Sequence, residues 1–374
     1  MKILQVTAAL DQGGVERGTV EMAAFIVARG AQSFVASQGG RLVAELEAQG
    51  TIHFRLPLAQ RNPFTILYSA YRLKRFIAAE GIDLVHARSR APAWAAYLAC
   101  RCSGVPLVTT FHGTHRIQNR LKKFYNSIMV RGRRVIAISR FIKQHVMLNY
   151  AVAGEMIDIA PRGFNPASFS PDRVSATQQL ELRASLGLVD GVPVLSLPGR
   201  LTRWKGQALF LEALAKISDL PWQALLIGGA GKKVSYLEEL QAMAKDLGIA
   251  GRVHFVGDQT DIVPYYAVSD LVVSASTEPE AFGRVAVEAQ AMGKAIIASA
   301  HGGSLETVRD GETGWLFRNR DAEDLAAKLR HALSGAVSLA SVGAAGRQWV
   351  AAEYRIDRMC QAEWDTYLKI LDEG

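Results

Sequence analysis

Short apolar runs alternate with longer amphipathic stretches along this chain, and the alternation is played through twice. KILQVTA precedes VERGTVEMAAFIVARG, whose apolar residues recur at helical spacing until Gly30. SFVAS and TIHFRL read as strands, and NPFTILYSAYRLKRFIAAEG as a helix closed by glycine. IDLVHAR, VPLVTTFHG, RRVIAIS and MIDIAPRG complete the first set of strands, with APAWAAYLACRCSG as a helix between the first two. Parallel strands need a long crossover, usually a helix, so this rhythm implies a parallel sheet covered on both faces. The second set runs through VPVLSLPGR, WQALLIGG, RVHFVG, DLVVSAS, KAIIAS and GWLF, with helix-like stretches between them. The expectation is an α/β chain of two doubly wound, Rossmann-like domains, 1–170 and 191–354, facing across a cleft. Pro166, Pro171 and clustered polar residues mark a linker at 171–190, with helical character returning near Leu180–Leu186. A length of 374 residues suits two domains.

Charge is unevenly spread. Residues 1–170 hold 22 Lys and Arg against 9 Asp and Glu, and the remainder holds 21 against 26. Positions 84–154 carry 12 basic residues and no acidic one, densest at Arg116, Arg120, Lys122, Lys123, Arg131, Arg133, Arg134, Arg140 and Lys143. Such a field is either a solvated surface or a seat for an anionic membrane surface. Nucleic acid is disfavoured, because aromatics are not interleaved as stacking platforms. Cys100, Cys102 and Cys360 lack zinc-site spacing and read as inert thiols of a reducing, cytoplasmic protein. The N-terminal run reads as a first strand and turn rather than a signal peptide, and no stretch is apolar enough to span a membrane.

The richest chemistry lies in SASTEPEAFGRVAVEAQAMG, residues 274–293. A strand, a turn carrying Glu280 and a helix carrying Glu288 would place two carboxylates at the carboxyl edge of a parallel sheet. Both suit hydrogen bonds from sugar hydroxyls. Glu288 stands among small and apolar neighbours and so demands a partner, for which a ribose diol is suited. PGRLTRWKGQ puts Arg200 and Lys205 between a strand and a helix, where they form either a solvated basic turn or a diphosphate grip that steadies the departing charge. Gly13-Gly14 is not a dinucleotide fingerprint; it is a plain tight turn or a close approach of backbone N–H groups to an anion. His112 ends a strand of the first domain, as a structural histidine or a donor at the reaction centre, with no hydrolytic partner beside it. His86 and Arg88 share that placement, with loop polarity as the equal alternative. His254 reads as structural, and Gly302-Gly303 as a turn with or without a ligand role.

EPEAFGRVAVEAQ resembles the paired-glutamate motif of the retaining, nucleotide-sugar-dependent glycosyltransferases of family GT4, which have the GT-B architecture. The two glutamates, Glu280 and Glu288, have seven residues between them, Phe282-Gly283 included, and the resemblance covers essentially the whole chain. It implies donor-sugar contacts for Glu280, ribose contacts for Glu288 and a donor-binding place for Phe282 and Gly283. It also implies a diphosphate grip by Arg200 and Lys205, an N-terminal glycine loop at Gly13 and Gly14, a sugar-side histidine at His112, and a C-terminal helix, 355–371, crossing back onto the first domain. Many members act on lipid-linked or lipopolysaccharide acceptors at the cytoplasmic membrane face. Arg162 and Arg88 stand where many members have asparagine and histidine.

The function implied is retaining transfer of a sugar from a nucleoside diphosphate, UDP first with GDP and ADP as alternatives, to a glycan or lipid-linked acceptor. No organic cofactor is expected. Nor is a divalent ion required, since no Asp-x-Asp motif ends a strand and Arg200 with Lys205 can supply the charge. No nucleophile is evident, which favours departure and attack on one face over double displacement. A sugar phosphorylase, a nucleotide-sugar epimerase and a non-enzymatic anionic-surface binding module are the alternatives.

Overall fold

The computed structural model describes residues 1–11, 13–115, 117–231 and 234–373, apart from the side chain of Val234. The chain divides into two compact units, Met1–Arg162 with Ile356–Gly374, and Gly163–Arg355.

The first unit is built on seven strands: β1 (Lys2–Val6), β2 (Gln32–Ser37), β3 (Ile52–Arg55), β4 (Leu84–Ala87), β5 (Leu107–Phe111), β6 (Arg134–Ala137) and β7 (Ile157–Ile159). All pairs are parallel, in the order β3-β2-β1-β4-β5-β6-β7, so strand order reverses between β1 and β4. The central strands β4, β5 and β6 are buried at every position, as expected for strands covered on both faces. Local signals end the helices where the sequence predicts. Asn62 caps the helix Pro63–Glu80 by accepting from Thr65 N, proline sits at its first position, and Gly81 closes it in the left-handed region.

One helix of this sheet comes from the far end of the chain. Ile356–Asp372 lays Met359, Cys360, Trp364, Tyr367 and Ile370 against Ile3, Leu84, Val108 and Ile136. The helix expected at 355–371 is Ile356–Asp372, and a separate helix, Leu339–Glu353, precedes it with a break at Tyr354.

The second unit has six strands: β8 (Val194–Pro198), β9 (Gln223–Ile227), β10 (Val253–Gly257), β11 (Leu271–Ser274), β12 (Ala295–Ser299) and β13 (Trp315–Phe317). They are parallel in the order β10-β9-β8-β11-β12-β13, with the reversal between β8 and β11. Leu195, Leu197, Phe210, Trp222, Val273 and Ile297 anchor its larger core. The segment read as a linker belongs to this unit. It holds a 3-10 turn, Pro171–Arg173, and the helix Ala176–Ser185, started by a Ser175/Gln178 capping box, while Val174 is buried in a second core. Proline and serine there mark the cap of a helix rather than a free connection.

Cys100 and Cys360 are buried and Cys102 is exposed, all as free thiols. Burial pushes the Cys100 thiol up to about 12 and raises that of Cys360 as well, so neither is a nucleophile at neutral pH. Among the described residues no helix is long and apolar enough to cross a membrane.

Candidate functional site

In a doubly wound sheet, ligands are taken at the carboxyl ends of the strands where strand order reverses. In the second unit, the loops leaving β8 and β11 at that point carry Arg200–Lys205 and Ser276–Gly283. Thr277 N donates to Trp204 O at 2.7 Å, which ties one loop to the other. Gly206, at φ 76°, lies so close to the β11 loop that a Cβ would stand 1.9 Å from Ala275 O. Only glycine permits this approach, and the helix Gln207–Ala215 starts from it.

This closeness brings two predicted residues together. Lys205 Nζ donates to Glu280 Oε1 at 2.5 Å, and its ammonium stands 4.4 Å from the centre of the Trp204 ring. Ser276 Oγ donates to the same Oε1 at 2.5 Å. Both contacts use one oxygen, so among the described residues Oε2 keeps its lone pairs for a ligand hydroxyl. The Glu280 carbonyl accepts from Gly303 N at 2.8 Å, and His301 Nε2 donates to Ser276 O at 2.8 Å. The Gly302-Gly303 turn therefore holds the Glu280 loop from behind. Arg200 is exposed, and its guanidinium has no bonded partner among the described residues. The site thus offers one cation held by a carboxylate, one open cation, and a carboxylate fixed by three neighbouring segments.

Phe282 and Gly283 lead from this loop into the next helix. The Phe282 ring is buried, edge-on to Tyr354 at 5.4 Å, so its side chain faces the interior of the unit. Gly283, at φ 90°, begins the helix Arg284–Ala291. On that helix Glu288 is 9% exposed, and its partners come from its own chain. Tyr266 Oη donates to Oε2 at 3.0 Å, and Arg284 Nη2 donates to Oε1 at 2.6 Å. Burial, and then the Glu288 carboxylate, hold the Tyr266 phenol well above its ordinary range, so it remains a donor. Arg284 is half-exposed, and pairs of that kind hold weakly enough to yield to a ligand. Its spacing of four residues before Glu288 was legible in the sequence; Tyr266, on a separate helix, was not.

In the first unit, His112 follows β5. Arg162 Nη2 donates to its Nδ1 at 3.1 Å, so the ring proton sits on Nε2. That Nε2 has no partner among the described residues. Burial first, then Arg162, Arg88, His86 and His115, hold the imidazole well below its usual range. A neutral ring with a spare N–H can donate to a ligand oxygen without carrying charge. Arg162 is packed tightly enough over the first helix that a Cβ on Gly18 would stand 2.1 Å from its Nη1. Gly13 and Gly14 form the start of that helix, Gly14–Ala28, with no side-chain cap. The Glu16 carboxylate lies over Gly13, where a Cβ would meet it at 2.4 Å.

His86 and Arg88 are corrected by the structure: both are wholly buried. Arg88 donates to Glu363 Oε1 at 3.2 Å, to Glu363 Oε2 at 2.5 Å and to Gln5 Oε1 at 2.6 Å. His86 bonds Tyr367 Oη and Thr110 Oγ1, each at 2.6 Å. They bind the C-terminal helix to the sheet and present nothing to a ligand. His254 is half-buried within β10.

The basic field is also smaller than its sequence count. Arg134 is buried against Asp158 at 2.6 Å, and Lys143 Nζ donates to Ile157 O at 2.9 Å. Arg116 lies outside the described residues. Arg120, Lys123, Arg131, Arg133 and Arg140 are exposed, with Leu121 81% and Phe124 57% exposed beside them in sequence. The helix Pro63–Glu80 adds an exposed apolar face, Phe64, Leu67, Tyr68 and Tyr71, at helical spacing next to Arg72 and Arg75. Sequence reading assigned that helix only to covering the sheet.

Residues 178–349 match the family described as glycosyl transferases group 1, and residues 12–168 match glycosyltransferase family 4. The chain is 30% identical over 306 residues to a GDP-mannose-dependent alpha-(1-6)-phosphatidylinositol monomannoside mannosyltransferase of Mycolicibacterium smegmatis, covering 77% of this chain and 78% of that protein. A solved glycosyltransferase from Rickettsia africae superposes with a TM-score of 0.92 at 35% identity, over 100% of this chain and 99% of its own. Anabaena HepE, solved with UDP-glucose, superposes with a TM-score of 0.84 at 25% identity, over 99% of this chain and 100% of its own.

Proposed function

The chain belongs to the family 4 glycosyltransferases, with two Rossmann-like units of the GT-B type, and from that premise we propose that it transfers a sugar from a nucleoside diphosphate to an acceptor hydroxyl with retention at the anomeric carbon. The observation that carries this reading is the Lys205–Glu280 pair at the second unit's reversal point, beside the open guanidinium of Arg200. A donor diphosphate competes for the Lys205 ammonium and engages Arg200. Glu280, fixed by Ser276 and Gly303, then accepts from hydroxyls of the donor sugar. As the glycosidic bond breaks, negative charge grows on the leaving phosphate, and the two cations stabilise it most in the transition state. In this role they replace a divalent ion. Glu288, with Tyr266 and Arg284 at hand, takes the ribose diol. The His112 Nε2–H donates to the transferred sugar. With Glu280 and Glu288 engaged in binding, the acceptor attacks on the face the phosphate leaves, and a phosphate oxygen receives its proton.

UDP is the first candidate nucleotide, as in the HepE complex, with GDP, used by the mycobacterial relative according to its name, and ADP as alternatives. The acceptor class is a glycan or lipid-linked saccharide, of which lipopolysaccharide is one form. The mycobacterial relative's name gives it a phosphatidylinositol-linked acceptor. A screen of sugar nucleotides in EDTA-containing buffer, with anomeric analysis of the product, tests the scheme. An inverted product, or turnover restored only by Mg²⁺ or Mn²⁺, contradicts it. The exposed cations and aromatics of the first unit support peripheral docking on an anionic bilayer from the cytoplasmic side. Sedimentation with phosphatidylglycerol vesicles at low salt, reversed at high salt, is the expected outcome.

A further inference from the structure

The first unit has a reversal point of its own, between β1 and β4. A cavity of about 130 Å³ opens there, with Arg61, Ser89, Arg90 and Tyr125 among its lining residues. Its size excludes a sugar nucleotide, since pockets for drug-sized ligands run from about 300 to 1,000 Å³; a single small polar group fits. The lining contains two guanidinium groups and no carboxylate. Arg90 is partly buried, and its Nη1 donates to a neutral acceptor, Asn126 Oδ1, at 2.9 Å. Neither Arg61 nor Arg90 has an ion-pair partner among the described residues. The Ser89 hydroxyl oxygen is buried and has no partner among the described residues. Two guanidinium groups beside a small cavity, with no counter-ion among the described residues, attract an entering anion. Arg88, two residues earlier, is by contrast doubly bonded to Glu363.

We infer that this cavity is an acceptor subsite for a phosphate group, gripped by Arg61 and Arg90. The assignment rests on the transferase reading, in that the group seated there belongs to the molecule that receives the sugar. Guanidinium forks match phosphate oxygens in planar pairs, and the Ser89 hydroxyl adds a donor. The phosphate comes either from a soluble phosphomonoester or from a phospholipid headgroup.

The test is calorimetry of inorganic phosphate with the full chain. Phosphate binding is expected to weaken about tenfold or more in Arg61→Ala/Arg90→Gln, and to persist in Arg200→Ala/Lys205→Ala. Arg61→Ala alone, at an exposed position, guards against misfolding at Arg90 and weakens binding in the same direction. Absence of binding to the native chain, or loss only in the Arg200/Lys205 variant, overturns the assignment. Vesicles of four parts phosphatidylcholine to one part phosphatidylinositol displace the bound phosphate if a headgroup is the natural source, and leave it in place if a soluble ester is. Calorimetry of UDP, GDP and ADP on the native chain separates the two readings. Failure of all three nucleotides to bind counts against the transferase reading, whereas loss of phosphate binding with nucleotide binding intact counts against this subsite alone.

Discussion

The two sheets share a topology and differ in what stands at the point where strand order reverses. In the second unit the cations meet carboxylates: Lys205 is held by Glu280, and Arg284 by Glu288. In the first unit Arg61 and Arg90 have no such partner among the described residues, and His112 is kept neutral by burial and by the positive groups around it. A donor with both a diphosphate and hydroxyls needs cations and acceptors together, pre-arranged and able to exchange partners. A site whose charged groups are all cations favours an anion. The same scaffold is specialised by the loops its strands release, not by the strands themselves.

Three measurements would break or sharpen this contrast. The largest effect is expected in the first unit's interior, where Glu363→Ala leaves Arg88 buried and unpaired. The cost is about 3–5 kcal/mol of stability, read as a lower denaturation midpoint; an unchanged midpoint would show that the C-terminal helix is not bound to the sheet through this pair. Next is the second unit's site. Lys205→Ala and Glu280→Ala should each lower turnover with the true donor by about 10²–10³-fold with the melting temperature little changed. Full activity in either would remove the pair from the chemistry. The smallest is acid sensitivity. His86, His112 and His115 are held below their ordinary value, chiefly by burial, His115 down to about 3. The unfolded chain titrates near the usual value of about 6.5, so it takes up protons first as pH falls. Their stabilisation is therefore complete above that value and drains away below it, by about 1.4 kcal/mol per pH unit for the buried His86. Melting followed from neutral pH downward should show the first unit weakening ahead of the second; a constant midpoint would mean these rings are charged in the fold.

Much of the fold was legible because strand and helix periodicities are local. Twelve of the thirteen strands lie within the apolar runs read from the sequence and β2 starts one residue ahead of its run, and the two parallel sheets follow from the crossovers between them. The expectation erred where local signals serve two purposes. Pro171 and Ser175 begin a turn and a helix of the second unit, although the same residues also mark linkers. His86 and Arg88 end a strand, as ligand-facing residues do, and yet are buried by a helix some 275 residues away in sequence. No window around position 88 contains Glu363.

The residues themselves determined two doubly wound sheets, the chemical types available at each strand end and the uneven charge, because each of these is set within a few positions along the chain. Only the tertiary structure decided which charges are satisfied. It paired Arg88 with Glu363 and Arg134 with Asp158, left Arg61, Arg90 and Arg200 without counter-ions among the described residues, and gave Glu288 a tyrosine from another helix. Ion pairing acts over a few ångströms of space, and the distance along the chain between two partners places no limit on it.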